Sequence, residues 1–281
     1  MIPNKETIIS VSSVCTKSRL REFLVTKRTL ELFHSCSWVV AVDEYCCSYF
    51  SDHKNVDTIK LLDFDGCHFG DNDSIDKFKI IMKTKMESMK KGIEKYGYSL
   101  FLDSDLIFLS GLDDSFFRFL GDSSKTLFVT SHCHDDSEES KQNEMTYGTY
   151  NVGMLCSKDI NFPDKWRHET EKLNCSLGLE QKPVTVIAEH DMNVVEISPP
   201  IYNVGWWRMV VSNHIENLTV DETNKLCLFG DEVINLHAHS DPKLGRPIEK
   251  QFLNHIFNII QNSDEYEKIL GIMENVFCRE H

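Results

Sequence analysis

Residues 98–109 read YSLFLDSDLIFL. Apolar side chains run almost unbroken on both sides of Asp103-Ser104-Asp105, which is the pattern of a central parallel strand covered by helices on both faces. The expectation is a strand over Ser99–Leu109. Two carboxylates in such a run lose their hydration if buried, a cost that an unpaired ion does not recover. A bound divalent cation offsets that cost, because hard cations such as Mg²⁺ and Mn²⁺ take carboxylate oxygens and share substrate phosphates. The plainer reading is a strand-end turn whose aspartates are solvated or paired with arginine.

Upstream, short β-branched runs alternate with helical periodicity. Thr7–Cys15, Trp38–Asp43 and Thr58–Leu62 read as strands, and Ser18–Ser35 and Ile75–Tyr96 as helices. This βαβ rhythm predicts an α/β fold with a mostly parallel, right-handed sheet between helical layers, and ligands binding beyond the carboxyl ends of its strands. Downstream, Thr126–Thr130, Tyr150–Cys156 and Leu226–His237 read as strands, and Asp135–Glu144 as a polar loop able to fold over a ligand. Helices over Pro247–Gln261 and Ser263–Phe277 end the chain; the apolar face of the last one (Tyr266, Ile269, Leu270, Ile272, Met273, Phe277) suits either the core or a homodimer surface.

Composition narrows the function. The 281 residues carry 30 Lys+Arg against 44 Asp+Glu, a formal charge of −14. That balance disfavours nucleic acid and anionic membrane as partners, since phosphate contacts need clustered basic residues. No run is long and apolar enough for an integral membrane segment, and the start has no apolar signal region, so a cytoplasmic protein is expected. Ten scattered cysteines without a C-x-x-C pair read as reduced thiols.

The strand 98–109 resembles the D-x-D strand of GT-A-fold nucleotide-sugar glycosyltransferases, closest in pattern to retaining glycosyltransferase family 8 (glycogenin and galactosyltransferase type). Four segments follow in that family's order. Tyr150-Asn151-Val152-Gly153-Met154 is similar to its aromatic-Asn-Ala-Gly strand, and His190-Asp191 with Met192-Asn193 to its Gln-Asp segment. Tyr202-Asn203-Val204 is similar to its Trp-Asn-Val stretch, and His237 with Lys243 to its His-x-x-Gly-x-x-Lys-Pro motif. Ser240 stands in place of the motif's Gly, Leu244 of its Pro, and His190 of the usual Gln.

The resemblance implies one GT-A domain over 1–281, with 1–110 a nucleotide-binding half and 111–281 an acceptor-binding and metal-completing half. It implies transfer of a sugar, with retention, from a nucleotide-diphosphate sugar (UDP-sugar) to a saccharide or other hydroxyl acceptor. Asp103, Asp105 and His237 would hold Mn²⁺ or Mg²⁺; two oxygens and an imidazole nitrogen suit Mn²⁺ better. Ser104 and Lys243 would meet the donor, Lys243 adding positive charge beside the departing diphosphate. Lys85, or equally Lys83, would touch the donor from its helix. Val11 and Ser12 would carry the nucleobase and ribose. Asp43 would bind the base or ribose edge, unless it only caps a helix. Asp191 would contact the donor sugar or the attacking hydroxyl, and His190 is a general base by chemistry, with an ordinary pKa of about 6.5. Asn151 would bind sugar hydroxyls, or pair with backbone.

Other residues stay open. His239 shares a strand face with His237 and is a second metal candidate. Trp206-Trp207 suits an acceptor platform or core packing. His132-Cys133-His134-Asp135-Asp136 lacks zinc-like spacing and reads as a strand end entering the acidic loop. A Mg²⁺-dependent nucleotidyltransferase of related fold would use the same aspartates, but VSSVCTK (11–17) lacks the glycines of a triphosphate loop. A catalytically inactive carbohydrate- or nucleotide-binding relic of the fold is the remaining alternative.

Overall fold

The computed structural model describes residues 8–60, 74–133, 137–172, 180–211, 214–241, 243–260 and 263–278. The first half gives β1 (Ile9–Cys15), α1 (Leu20–Glu31), β2 (Cys36–Val42), α2 (Glu44–Tyr49), β3 (Val56–Lys60), α3 (Ser74–Tyr96), β4 (Ser99–Leu102) and β5 (Leu106–Phe108). Then come α4 (Asp114–Gly121), β6 (Leu127–Ser131), α5 (Glu138–Tyr147), β7 (Tyr150–Ser157), α6 (Phe162–Lys172), α7 (Gln181–His190), β8 (Val195–Ile197), β9 (Val204–Gly205) and α8 (Trp206–Val211). The chain continues through β10 (Leu218–Val220), β11 (Leu226–Leu228), β12 (Asp231–Glu232), β13 (Asn235–His237), α9 (Pro247–Ile260) and α10 (Glu267–Cys278).

Seven strands form the main sheet in the order β3-β2-β1-β4-β7-β6-β8. All neighbours run parallel except at β7, which is antiparallel to both β4 and β6. The α/β expectation therefore holds, and the sheet draws strands from both sequence halves. Its apolar runs serve two cores. Leu100 and Leu102 of β4 face one, with Phe23 of α1 and Ile269 of α10, while Phe101 between them faces the other, with Met89 of α3 and Trp166 of α6. Period-two alternation with apolar residues at every position is what a sheet covered on both sides demands.

Several elements differ from the sequence reading. The run 99–109 is two strands in two sheets: β4 stops at Leu102, Asp103-Ser104-Asp105 turn, and β5 joins a small sheet of order β5-β13-β9. The run 226–237 likewise breaks into β11, β12 and β13 across two sheets. Apolar continuity reports burial, and it does not report where the backbone turns. The loop expected over 135–144 is largely α5; residues 135–136 lie outside the described residues. Ser137 caps this helix, its Oγ accepting from Ser140 N at 3.1 Å, and Glu138 and Glu139 favour the first turn. Only Ser140 of α5 is buried, so no apolar period marks it. Of the apolar face expected on the last helix, Tyr266, just before α10, and Ile269 and Met273 on it are buried in the core, while Leu270, Ile272 and Phe277 are half-buried. No described helix is long and apolar enough to cross a membrane. Among the described cysteines none is in a disulfide.

Helix α1 fixes the turn between the two sheets. Thr26 Oγ1 accepts from Leu106 N at 3.1 Å and lies 2.9 Å from the Ser104 carbonyl, to which it donates. Thr29 Oγ1 accepts from Phe108 N at 3.1 Å. These hydroxyls satisfy the edge of β5 that β13 does not cover. Replacing Thr26 by the near-isosteric Val strands the buried Leu106 N–H. Urea denaturation should show a loss of about 1–3 kcal/mol in Thr26→Val; an unchanged midpoint would mean that α1 does not hold this turn.

Candidate functional site

The strand break puts both aspartates where the two sheets meet. Asp103 N donates to the Gly153 carbonyl at 2.8 Å, and Ala238 N to the Asp105 carbonyl at 3.1 Å, so β7 and the end of β13 flank the turn. His237, ending β13, pairs in register with Leu106. One ligand atom from each of Asp103, Asp105 and His237 lies within 4.8 Å of the others. Two carboxylate oxygens and one imidazole nitrogen converging this closely fit a divalent cation that accepts nitrogen as well as oxygen.

Asp105 is the most heavily engaged member. Its Oδ1 lies 3.2 Å from His237 Nε2 and its Oδ2 3.0 Å from His239 Nδ1. Burial works to raise its pKa, but the facing His237 and His239 outweigh burial and hold it well below the usual carboxylate range. Burial lowers both histidines, and Asp105 more than compensates: His237 is raised, and His239, also facing Glu22 at 3.3 Å, is raised to about 9. Glu22 in turn pairs with Arg19 at 2.9 Å. His239 therefore supports Asp105 from behind and lies outside the converging group of three.

On the other side of His237, Nδ1 lies 2.7 Å from Asn203 Oδ1. Asn203 Nδ2 donates to Asn151 Oδ1 at 2.8 Å and to Thr130 Oγ1 at 3.0 Å, and Asn151 Oδ1 also accepts from Gly153 N at 2.8 Å. A Cβ at Gly153 would sit 2.2 Å from His237 Cε1, so only glycine lets β7 pass this close to the ring. Trp207 closes the ring's face edge-on at 5.1 Å. Trp206 packs against the main core beneath the Arg246 guanidinium at 4.6 Å, so of the pair only Trp207 meets the His237 ring.

Lys85 reaches the cluster from α3. Its Nζ donates to Asp103 Oδ1 at 2.8 Å and lies 3.9 Å from Glu180 Oε1. Burial alone would lower this ammonium, but Asp103 and Glu180 raise it. Lys83 instead pairs with Glu171 at 3.5 Å. Glu180 precedes α7, and the sequence reading passed over it. Burial raises its pKa against the opposing charge of Lys85, and its Oε2, like Gln181 Oε1, is buried without a hydrogen-bond partner.

His190 and Asp191 are not brought to this cluster. They end α7, whose 10 residues span about 15 Å from the Glu180 end. Both are exposed, and both line a separate cavity of about 670 Å³ with Leu127, Ser157 and Lys158, at the edge of the sheet where β4 begins. Asp191 Oδ1 accepts from Asn193 N at 3.2 Å. Glu180, at the opposite end of the same helix, is the acid that reaches the cluster, through Lys85.

Val11 and Ser12 are fully buried in mid-strand, and the Ser12 hydroxyl is 2.9 Å from Ser99 Oγ. A ligand beyond the carboxyl end of β1 would meet Cys15, Thr16 and Lys17 instead. Asp43 caps α2: Oδ1 accepts from Cys46 N at 2.8 Å and Oδ2 from Lys17 N at 2.7 Å, which leaves the helix-cap reading in force. Lys243 is exposed, beside Asp241. His132 is stacked on Tyr147 and tilted against Trp207, and burial lowers it to about 4, so it is a neutral ring packed beside the site. His134 lies outside the described residues.

Neither a protein-family model nor a curated protein matches the chain. Solved structures do. The apo form of WbbM, a bifunctional glycosyltransferase, aligns with 97% of this chain at a TM-score of 0.52 and 10% identity; the chain spans 53% of that protein. Mouse xyloside xylosyltransferase 1, also apo, aligns over 86% of this chain and 100% of its own at a TM-score of 0.50 and 11% identity. The chain thus has the GT-A-type α/β fold that these two glycosyltransferases share.

The charge pattern sets a pH dependence. His239 titrates at about 9 in the folded protein against about 6.5 unfolded. Its contribution is fully present below about 6.5 and lost as pH rises through about 9, a fall of at most about 3 kcal/mol. Urea denaturation at successive pH values should show this fall in the native protein and a flatter profile in His239→Gln. Identical profiles would remove His239 from the charge network.

Proposed function

We propose that the protein is a metal-dependent glycosyltransferase of the retaining family 8 type, moving a sugar from a UDP-sugar to a hydroxyl acceptor. The observation that carries this reading is the convergence of Asp103, Asp105 and His237 at the junction of two sheets, on a fold shared with glycosyltransferases. These three residues would hold Mn²⁺, in preference to Mg²⁺ because one donor is an imidazole nitrogen. A cation there supplies Lewis-acid stabilisation of the negative charge on a leaving diphosphate.

The chain's own groups divide the remaining work. Lys85 holds the Asp103 carboxylate in place, at 2.8 Å. Lys243, exposed after β13, adds positive charge to the leaving group. Ser104 presents the turn between the two aspartates to the donor. Glu180 and Gln181, with unpartnered buried oxygens, accept hydrogen bonds from sugar hydroxyls and take the place the sequence reading gave to Asp191 and His190. The nucleotide lies beyond the carboxyl end of β1, at Thr16 and Lys17, rather than on Val11 and Ser12. Asn151, whose Oδ1 is already taken by Gly153 N and Asn203 Nδ2, serves the His237 side of the site.

Calorimetry with UDP and GDP, with and without Mn²⁺, tests this reading. UDP should bind only when Mn²⁺ is present, and Asp105→Asn should abolish that dependence. With the donor sugar found by screening UDP-sugars, UDP release should fall by a factor of about 100 or more in Asp105→Asn. Binding of GDP alone would replace the donor, and absence of nucleotide binding in every condition would refute the reading.

A further inference from the structure

The polar chain behind His237 has a direction that its own atoms fix. It begins at Gly153 N–H, a backbone group that can only donate. That N–H points at Asn151 at 2.8 Å, so the atom receiving it is the amide oxygen Oδ1. The Asn203 atom 2.8 Å from the same oxygen must then donate, and is Nδ2. A second anchor agrees: the Thr130 hydroxyl spends its proton on the Asn151 carbonyl at 3.1 Å, so at 3.0 Å it accepts from the same Nδ2. With its amide nitrogen committed on one side, Asn203 turns Oδ1 to His237 Nδ1 at 2.7 Å. An amide oxygen has no proton to give. His237 Nδ1 must therefore carry one.

We propose that Asn203 is a positioning residue that holds the His237 proton on Nδ1 and so reserves Nε2, the nitrogen facing Asp105, for the divalent cation. This rests on the metal reading above and adds the group that prepares the imidazole for it. The arrangement is rigid. Asn203 is wholly buried, with φ at +54°, a left-handed conformation that asparagine adopts more readily than most residues. Its N–H donates to Asn235 Oδ1 at 2.9 Å, on the strand that carries His237. The amide therefore cannot swing away without breaking contacts to β6, β7 and β13 together. A ring free to place its proton on Nε2 would turn an N–H toward Asp105 and block the cation.

Mn²⁺ affinity measured by the electron-spin-resonance signal of free ion separates this from a role in folding. Asn203→Ala should weaken Mn²⁺ binding about 10- to 100-fold, the usual effect of losing a partner to a metal-bound histidine, and Asn203→Asp, which still offers Nδ1 an oxygen, should restore it to within about threefold. Thr130→Val removes another partner of the same amide without touching His237, and should leave affinity unchanged. In protein labelled with ¹⁵N-histidine and loaded with Cd²⁺ as a diamagnetic probe, His237 should show a protonated Nδ1, and Asn203→Ala should lose that signature. Full affinity in Asn203→Ala, or an equal loss in Thr130→Val, overturns the proposal while leaving the metal site standing. Failure of the unmutated protein to bind Mn²⁺ overturns the metal reading itself.

Discussion

The enclosed carboxylate of Asp105 constrains everything around it. A carboxylate with only 13% of its side-chain surface exposed is tolerated best when opposite charge and hydrogen bonds surround it. Here the acids Asp103, Asp105, Glu22 and Glu180 face the cations Lys85 and Arg19 and the imidazoles of His237 and His239 within a few ångströms. These four partners come from α3, the segment before α1, β13 and the turn after it, so satisfying one carboxylate fixes four parts of the chain relative to one another. The apolar walls on either side supply stability without direction. The charge supplies direction, because a pair of opposite ions loses most of its benefit when its geometry slips.

Much of this was legible in the residues. The βαβ rhythm of the first half gives the sheet and its order of construction, since β-branched runs and helical periodicity are local signals. Asp103 and Asp105 stood out because carboxylates in an apolar run demand an explanation. His237 stood out only through its spacing to Lys243. What the residues could not announce was where a buried run bends. The stretch 99–109 is equally apolar before and after the turn, because each half enters a core, and β5 is set in another sheet by its pairing with the distant β13 and by the Thr26 and Thr29 hydroxyls of α1.

The expected residues that lie away from the cluster share a cause. His190-Asp191 matched a pattern of residue types, yet a helix stands between those residues and the cluster, and a linear pattern carries no information about which end of a helix faces inward. Val11 and Ser12 were placed by their strand, but a parallel strand exposes ligand-binding groups only past its last residue, and these two lie in its middle. Asp43, for which a helix cap was one of the alternatives, does cap α2, each of its carboxylate oxygens accepting one backbone N–H. Helix α5 escaped notice because a helix that is polar all round, with one buried serine, looks like a loop to any argument from apolar period.

The placement of His237 on β13 also bears on how the molecule is made. Every strand of the seven-stranded sheet precedes β13 in the chain. As the chain leaves the ribosome, the large sheet can assemble while Asp103 and Asp105 still lack their histidines. During that interval the two aspartates repel each other at the sheet's edge with Lys85 and Arg19, but no histidine, to offset them. The site therefore becomes complete late in synthesis, when β13 docks on β5, and a nascent chain cannot commit to a cation before its fold is nearly finished.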